Sequence, residues 1–232
     1  MKQETYRLLE NYMHACMQDS AHDREHVYRV LYTALDIAAH EENVNTDVLI
    51  TACLLHDIGR REQYENPALC HAQVGAEKAC RFLTANGFDE AFAAHVADCI
   101  TTHRFRGDNP PQSIEAKILF DADKIDATGT LGIARTLFYN GHLGEPLYSV
   151  NADGTVSDGV NDSAPSFFQE YNYKLTKLYG KMLTVRGREI AQERRASAVA
   201  FYESMLREVR ASYETGKPLL EQLLTQQEQD SV

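Results

Sequence analysis

Long apolar runs are missing from this sequence. No window approaches the roughly 18 consecutive apolar residues that a membrane-spanning helix needs. The first residues, MKQETYRLLENYMHAC, mix charged and apolar side chains and lack the apolar core of a secretory signal. The sequence therefore predicts a cytoplasmic protein that has no membrane partner.

Positive charge is also scarce. Lysine and arginine number 23 against 34 aspartate and glutamate residues, which gives a formal net charge of −11. A field of that sign repels polyphosphate backbones and anionic lipid. General nucleic-acid binding is therefore not expected, and a small anionic substrate needs local cations or a metal to overcome the global charge.

Motifs of several common chemistries are absent. The five cysteines are odd in number and form no C-x-x-C pair, which argues against a disulfide framework and against a zinc ribbon. The sequence also has no G-x-S-x-G motif and no glycine-rich phosphate loop. A covalent acyl mechanism and a kinase-type reaction therefore lack their parts.

What the sequence does have is a helical period. Apolar residues recur at three- and four-residue intervals along almost the whole chain, and strict alternation over the length of a strand is hard to find. We therefore predict an all-α protein that forms a single domain over residues 1–232. Two of its helices are expected at about 113–138 and about 187–214.

Three parts of this domain differ in composition. A core that carries the informative motifs spans about 20–140, and C-terminal helices span about 166–216. Between them, a stretch over about 140–165 is rich in Gly, Asn, Asp and Ser. Loops of that length are uncommon in compact domains, so this one is interpreted as a lid over a site or as a surface excursion.

Polar side chains of the metal-ligand type lie on apolar faces of these helices. His56 and Asp57 come directly after the apolar run VLITACLL, which delivers both to the interior where Gly59 lets the chain turn. His26 shares a helix face with Val30 rather than with its charged neighbours. For each histidine taken alone, a buried structural role is the alternative.

A carboxylate comes from the segment SIEAKILFDADKIDA. Asp123 lies along the apolar stripe of this helix, and Asp126 shares its face as a reserve candidate. Asp121 instead neighbours Lys117 and Lys124, which predicts a surface ion pair. Burying a bare carboxylate is costly, so Asp123 calls for a cation or a metal.

His26, His56, Asp57 and Asp123 together offer two imidazoles and two carboxylates from three helices. Mixed nitrogen and oxygen ligation suits a divalent ion such as Mn²⁺, Fe²⁺, Co²⁺, Ni²⁺, Zn²⁺ or Mg²⁺. Four protein ligands on a six-coordinate ion leave room for water and a phosphate oxygen. The sequence therefore predicts a divalent metal cofactor.

The order H, HD, D resembles the HD-domain metal-dependent phosphohydrolase superfamily. The spacings are 30 residues from His26 to His56 and 66 from Asp57 to Asp123. The segments LLHDIGR and DADKIDA are similar to the small stand-alone bacterial members, a group that includes nucleotide pyrophosphohydrolases. The resemblance covers about residues 20–140; it implies an HD-domain-like helical core and a metal held by these four residues.

Two further histidines, His71 and His103, occupy places that provide ligands for a second ion in binuclear relatives. We interpret them as ligands of a second metal or as substrate contacts, with core filling as the alternative. The remaining histidines are expected to be exposed or capping: His14, His22, His40, His95 and His142.

Basic residues cluster around the motifs. Guanidinium groups bind phosphate oxygens bidentately, so contacts with substrate phosphate are predicted for Arg60, Arg61 and Arg104, with Arg106 nearby. The alternative is that Arg60 and Arg61 only interact with the negative end of a helix dipole at its C-terminus. Catalytic roles are assigned to Lys124 and to Asp57, which as a ligand with a spare oxygen can orient or deprotonate water.

The reaction that this implies is hydrolysis by a divalent-metal-dependent phosphohydrolase acting on a phosphoester or phosphoanhydride of a nucleotide. A nucleotidase branch of the superfamily carries Glu where this chain has Arg60, so a nucleoside triphosphate pyrophosphohydrolase is preferred. A nucleotide phosphomonoesterase or phosphodiesterase, a binuclear-iron oxygenase and a non-catalytic, metal-stabilised binding module remain alternatives. The expected partner is a small phosphorylated substrate, and a homo-oligomer is compatible with the charged C-terminal segment.

Overall fold

The computed structural model describes residues 1–17, 24–105 and 109–229. His22 and Arg106 lie outside these ranges, and so do the predictions made for them. The regular structure of the described residues is helical, apart from one isolated antiparallel bridge between Val150 and Val156. The all-α class is therefore confirmed. None of the helices in these ranges combines the length and apolar character that crossing a membrane requires.

The chain divides into two compact units. The first holds Met1–Asp126 and Gly180–Ala191, and the second holds Ala127–Tyr179 and the chain from Gln192 onward. Seven helices of the first unit are α1 Gln3–Cys16, α2 Arg24–Ala38, α3 Thr46–Leu55, α4 Arg60–Glu65, α5 His71–Ala85, α6 Glu90–Thr102 and α7 Ile114–Ile125.

Helix α3 is the centre of the first unit. It contacts α1, α2, α5, α6 and α7, because its sequence is apolar all round. Its seven buried residues include Leu49, Leu54 and Leu55, none of which is exposed to solvent. Each such leucine contributes about 1.5–3 kcal/mol through burial. The helix therefore fixes the position of the His56–Asp57 pair at its C-terminal end.

The second unit begins with α8, Gly129–Leu143, and continues after a long loop with α9, Phe167–Glu170, a π-helical turn, Tyr171–Leu175, and α10, Thr176–Leu178. Helix α11, Val185–Gln229, starts in the first unit, and its residues from Gln192 onward belong to the second. Aromatic rings fill the interior of this unit: Tyr171 and Tyr202 stack with centroids 4.2 Å apart.

The structure corrects two predicted helices. The helix expected at about 113–138 is interrupted, because α7 ends at Ile125 and α8 starts at Gly129, whose φ of 67° is left-handed. The helix expected to end near 214 continues as α11 to Gln229 and contains Pro218.

The long loop lies between Leu143 and Phe167, in the region where a loop was predicted. Within it, Asn151 N donates to the Thr155 carbonyl at 2.8 Å, beside a turn at Gly154 with φ of 82°. Its role as a lid stays a prediction.

Candidate metal centre

Six side chains of metal-ligand type converge inside the first unit. They come mainly from helix ends, where a side chain can leave the helix surface and point at a neighbour. They are His26 in α2, His56 as C-cap of α3, Asp57 directly after it, His71 opening α5, His103 as C-cap of α6, and Asp123 in α7. Five of the six are buried, and the side chain of Asp123 is 13% exposed.

The six side chains form two groups of three. One group is His26, His56 and Asp123, and the other is Asp57, His71 and His103. Within each group, one potential ligand atom per residue lies within 4.8 Å of the others. The first group thus joins three of the four residues predicted to hold a metal, and the second joins the fourth to the two predicted second-site histidines.

Asp57 lies between the groups and faces both. Its Oδ2 is 3.5 Å from the Nε2 atoms of His26 and His56. Its Oδ1 is 3.4 Å from Nε2 of His71 and 3.8 Å from Nε2 of His103. A carboxylate in this position can serve both groups at once, one oxygen to each.

Backbone carbonyls fix the protonation of two of the histidines. Nδ1 of His56 lies 2.8 Å from the Cys53 carbonyl, and Nδ1 of His103 lies 2.6 Å from the Ile100 carbonyl. A carbonyl oxygen only accepts hydrogen bonds, so Nδ1 must donate in both cases. The Nε2 atom of each neutral ring then carries a lone pair that points into the cluster.

Side chains hold the other two rings. Nδ1 of His26 lies 2.7 Å from Oδ2 of Asp126, and Nδ1 of His71 lies 2.5 Å from Oε1 of Gln63. Both oxygens accept the Nδ1 hydrogen and direct Nε2 inward. Asp126, the reserve candidate, therefore contacts the outer nitrogen of His26, and Gln63 is a residue that sequence reasoning missed.

The inward nitrogens lie unusually close together. Nε2 of His26 is 3.3 Å from Nε2 of His56, and Nε2 of His71 is 3.3 Å from Nε2 of His103. In the His71–His103 pair, where both rings are neutral, two lone pairs meet at hydrogen-bond distance and repel unless a cation neutralises them. The buried Oδ1 of Asp57, which accepts no hydrogen bond from the described residues, adds negative charge to the same place. This donor set fits a divalent cation.

Burial keeps three of the imidazoles neutral. It lowers the pKa of His71 to about 2 and the pKa of His103 to about 3. It also lowers the pKa of His56, which is completely buried. A neutral ring is the form that binds a metal, so these three side chains are in the ligand form at pH 7.

The two carboxylates stay ionised despite burial. Burial raises the pKa of Asp57, but the positive charge of Arg60 leads the opposing effects and holds this pKa well below its usual range. The ammonium group of Lys124 acts in the same way on the pKa of Asp123. Two negative charges therefore face the histidine nitrogens.

His26 titrates differently from the other rings. Burial lowers its pKa, but hydrogen bonds with Asp123, Asp126 and Asp57 outweigh that effect and raise the pKa to about 10. In the metal-free protein, a proton on His26 therefore supplies part of the positive charge that the surrounding carboxylates require. A divalent cation would take over that charge and displace the proton.

Two of the predicted cationic residues lie directly beside the cluster. Nε of Arg60 is 2.5 Å from Oδ2 of Asp57, and Nζ of Lys124 is 2.8 Å from Oδ2 of Asp123. The side chains of Arg60 and Lys124 are 37% and 20% exposed. Each cation thus touches a candidate metal ligand and also reaches solvent.

The other two arginines differ from each other. Nη1 of Arg104 is 3.4 Å from Nδ1 of His71 and 3.9 Å from Sγ of Cys70, so it lies at the edge of the cluster. Arg61 pairs with Glu65 at 2.9 Å, and both side chains are 59% exposed. The predicted contacts with substrate phosphate stay a prediction for all three arginines: Arg60, Arg61 and Arg104.

The turn after the His56–Asp57 pair is pressed against α5. A Cβ atom on Gly59 would lie 2.4 Å from the His71 carbonyl oxygen and 2.6 Å from Gly75 N, so only glycine fits. Lys78, which also belongs to α5, donates from Nζ to the Ile58 carbonyl at 2.7 Å. The close packing at Gly59 and this hydrogen bond together hold the first turn of α5, and with it His71, beside Asp57.

Asp121 is not the surface residue that its lysine neighbours predicted. It is completely buried and accepts hydrogen bonds from Leu183 N at 2.8 Å and from Thr184 N at 2.7 Å. The Thr184 hydroxyl donates to it as well, at 2.7 Å. These donors satisfy the buried charge without a metal, and they hold the segment that leads into α11.

The fold and this centre together define an all-α protein with a histidine–aspartate cluster able to hold a divalent metal. Residues 24–128 match the family profile of the HD domain. YpgQ of Bacillus subtilis (strain 168) is 30% identical over 199 residues, which are 83% of this chain and 86% of YpgQ. The chain therefore belongs to the HD domain family, and the resemblance carried by the H, HD, D motifs is confirmed.

Solved structures agree with this membership. The crystal structure of B. subtilis YpgQ in complex with ADP has a TM-score of 0.69 and 25% identity, covering 88% of this chain and 95% of that one. A predicted HD superfamily hydrolase from an uncultured Thermotogales bacterium has a TM-score of 0.60 and 30% identity, over 87% and 91% of the two chains. An HD-superfamily hydrolase from Bacillus thuringiensis has a TM-score of 0.69 and 26% identity, over 91% and 100%. This chain thus has the fold of the HD-superfamily hydrolases.

Proposed function

We propose that this protein is a divalent-metal-dependent phosphohydrolase that converts a nucleoside triphosphate to the monophosphate and pyrophosphate. The observation that carries the proposal is the convergence of four histidine Nε2 atoms and two ionised carboxylates in the first unit. Such a donor set without a cation is electrostatically unfavourable, and with a cation it is a site for hydrolysis.

The residues that would hold the cation are His26, His56, Asp57 and Asp123. His71 and His103, together with the second oxygen of Asp57, would hold a second ion or contact the substrate. A divalent cation bound there supplies a Lewis acid for a phosphoryl oxygen and lowers the pKa of water towards neutrality.

Asp57 is the residue that we assign to the attacking water. Its Oδ1 accepts no hydrogen bond from the described residues, so it is free to accept one from water. Its ionised state, which Arg60 maintains, lets it take the proton of that water as the oxygen bonds to the α-phosphorus. The α–β phosphoanhydride bond then breaks, and pyrophosphate leaves.

Cationic side chains are assigned to the phosphates. Lys124 contacts Asp123 and Arg60 contacts the buried Asp57, and the two cationic side chains are 20% and 37% exposed to solvent. In a chain with a net charge of −11, such local cations are what allows an anionic substrate to approach. They also neutralise charge that develops on the departing pyrophosphate.

Two observations support a nucleotide substrate. One crystal structure of YpgQ, a protein 30% identical to this chain, is a complex with ADP. This chain also has Arg60 at the position where the nucleotidase branch of the superfamily carries Glu. Arg60 adds a cation to that of Lys124, and two cations suit a substrate with more than one phosphate.

The test is a product analysis with defined metals. The protein is stripped with a chelator, reloaded with Mn²⁺, Mg²⁺ or Co²⁺, and incubated with nucleoside triphosphates, monophosphates and a cyclic dinucleotide. We expect equal amounts of pyrophosphate and nucleoside monophosphate from triphosphates. Orthophosphate from monophosphates would instead indicate a phosphomonoesterase, and opening of the cyclic dinucleotide a phosphodiesterase. No product from any nucleotide with any of these ions would contradict the proposal.

The two groups of three ligands also favour a second candidate, an oxygenase with two iron ions. Six ligands with Asp57 between the groups suit a pair of ions. Iron content measured together with oxygen consumption separates this candidate from a hydrolase, because hydrolysis consumes no oxygen.

A further inference from the structure

Asp126 links two residues of α2 at the outer side of the cluster. Its Oδ2 lies 2.7 Å from Nδ1 of His26, and its Oδ1 lies 2.7 Å from Nε of Arg29. Nη2 of Arg29 is 3.1 Å from Oδ2 as well. His26 and Arg29 are three residues apart on one helix, so both reach the same carboxylate at the end of α7.

This contact distinguishes His26 from His56 and His103. The outer nitrogens of those two rings donate to backbone carbonyls, which are neutral. A carboxylate draws the Nδ1 hydrogen more strongly than a carbonyl does, and so it raises the electron density at the opposite nitrogen. His26 is therefore the ring whose Nε2 is the stronger donor to a cation.

Arg29 holds that carboxylate in place. Asp126 is only 3% exposed, and a buried carboxylate needs hydrogen-bond donors for its oxygens. The guanidinium group contacts both oxygens from one side, which defines the plane of the carboxylate. His26 then meets an acceptor of fixed direction.

We propose that Asp126, clamped by Arg29, is a positioning residue that holds His26 with its proton on Nδ1 and strengthens Nε2 as a metal ligand. The inference rests on the metal centre that the proposed function requires, but it concerns residues that lie outside the ligand set. It assigns Asp126 to the support of a ligand and not to the cation itself.

The first test is a calorimetric titration of Mn²⁺ into metal-free protein. We expect the Asp126→Asn variant to bind the ion about 10–100-fold more weakly than the wild type, the usual effect of removing a partner of a ligating histidine. The visible absorption of the Co²⁺-loaded variant should also differ from that of the wild type, because the ring no longer has a fixed direction. A purely structural residue would change the melting temperature and leave this spectrum unchanged.

A double-mutant cycle tests the role of Arg29. Arg29→Gln should weaken Mn²⁺ binding by a smaller factor, because the carboxylate remains but is no longer held. Since Arg29 acts through Asp126, the double variant should bind about as weakly as Asp126→Asn alone. If the two losses multiply instead, the relay from Arg29 to His26 is wrong. Should Asp126→Asn fail to fold, Arg29→Gln carries the test, and unchanged affinity in that variant overturns the inference.

The matched control is Asp36→Asn. Arg186 contacts both oxygens of Asp36 at 3.1 Å through Nε and Nη2. This repeats the aspartate–arginine geometry beside a histidine outside the cluster, His40, whose Nδ1 is 3.7 Å from Oδ1 of Asp36. This variant should bind Mn²⁺ with wild-type affinity. Wild-type affinity and spectrum in Asp126→Asn would overturn the inference and leave the proposed function intact. Absence of any metal binding by the wild type would overturn both.

Discussion

Asp57 has the most connected position among the candidate ligands. Its two oxygens lie 3.4–3.8 Å from the Nε2 atoms of all four cluster histidines. An amide in its place would keep the shape, lose the charge and offer a donor on one side. A change at this single residue therefore affects both groups of ligands.

We expect Asp57→Asn to lower phosphate or pyrophosphate release at least about 100-fold, more than the usual loss from changing a residue behind a ligand. The metal content of the purified variant should fall as well, while the far-ultraviolet circular dichroism spectrum stays that of a helical protein. Asp36→Asn is again the control and should retain activity. An active and metal-loaded Asp57→Asn protein would favour the non-catalytic, metal-stabilised binding module.

Four cluster residues could be found from the sequence pattern, because His26 and Asp123 lie on apolar faces and the His56–Asp57 pair comes directly after an apolar helix. The two second-site histidines came from the family resemblance. The contacts behind the cluster could not be found. Gln63 and Asp126 act on rings that are 8 and 100 residues away, and no local pattern reports such a contact. Asp121 was misassigned for the same reason, since its donors lie 62 and 63 residues further along the chain.

At the scale of elements, the contact between the turn at Gly59 and helix α5 controls the shape of the centre. The closest backbone atoms to a Cβ at this position belong to His71 and Gly75. Backbone cannot move aside as a flexible side chain can, so any larger residue must push α5 away from the turn.

Gly59→Ala should therefore destabilise the protein by about 1–3 kcal/mol, the usual cost of overpacking, and should weaken metal binding because His71 moves with α5. Chemical denaturation and Mn²⁺ titration measure the two effects. Gly180→Ala is the matched control, because nothing lies within 4 Å of a Cβ there. Equal stability of both variants would show that the turn is not closely packed against α5.

The ion pair between Asp36 in α2 and Arg186 near the start of α11 should make stability depend on pH. The hydrogen bonds from Arg186 lower the pKa of Asp36 below its usual value of 3.8. The pair therefore contributes fully above pH 3.8 and loses its contribution as the pH falls through the lowered pKa. Because Asp36 is 41% exposed, we expect no more than about 1 kcal/mol.

Denaturation of the wild type and of Asp36→Asn at pH 7 and at pH 3 measures that contribution. The difference in stability between the two proteins should be present at pH 7 and smaller at pH 3. A difference that grows on acidification would contradict a lowered pKa for Asp36.

The ends of helices could be predicted where the helical repeat of apolar residues stops. They could not be predicted where that repeat continues into the next helix. The stripe that identifies α7 runs on into α8, so the interruption before Gly129 leaves no periodic signal. Gly129 has a left-handed backbone conformation. Glycine permits this conformation but does not require it, so the residue type alone does not predict the break. Gly216 and Pro218 usually end a helix, and α11 continues through both.

At the scale of the whole molecule, metal binding should raise thermal stability. An ion that binds only the folded protein at 100 times its dissociation constant adds about 2.7 kcal/mol. For a chain of 232 residues, this corresponds to a rise in melting temperature of about 5–10 °C. Differential scanning fluorimetry after chelation and after reloading with Mn²⁺ measures the change.

Asp57→Asn provides the control for that measurement, because the acidic surface also attracts divalent ions. The variant should show little or none of the rise. An equal rise in the variant would mean that the ion acts elsewhere on the protein.

Imidazole and carboxylate donors accept most first-row transition ions, and their intrinsic preference runs towards copper and zinc. The metal found in the purified protein therefore depends on which ions were available during its production. Protein produced in rich medium and protein produced with a single added metal should differ in metal content, and the metal content of protein purified from the native host identifies the physiological cofactor.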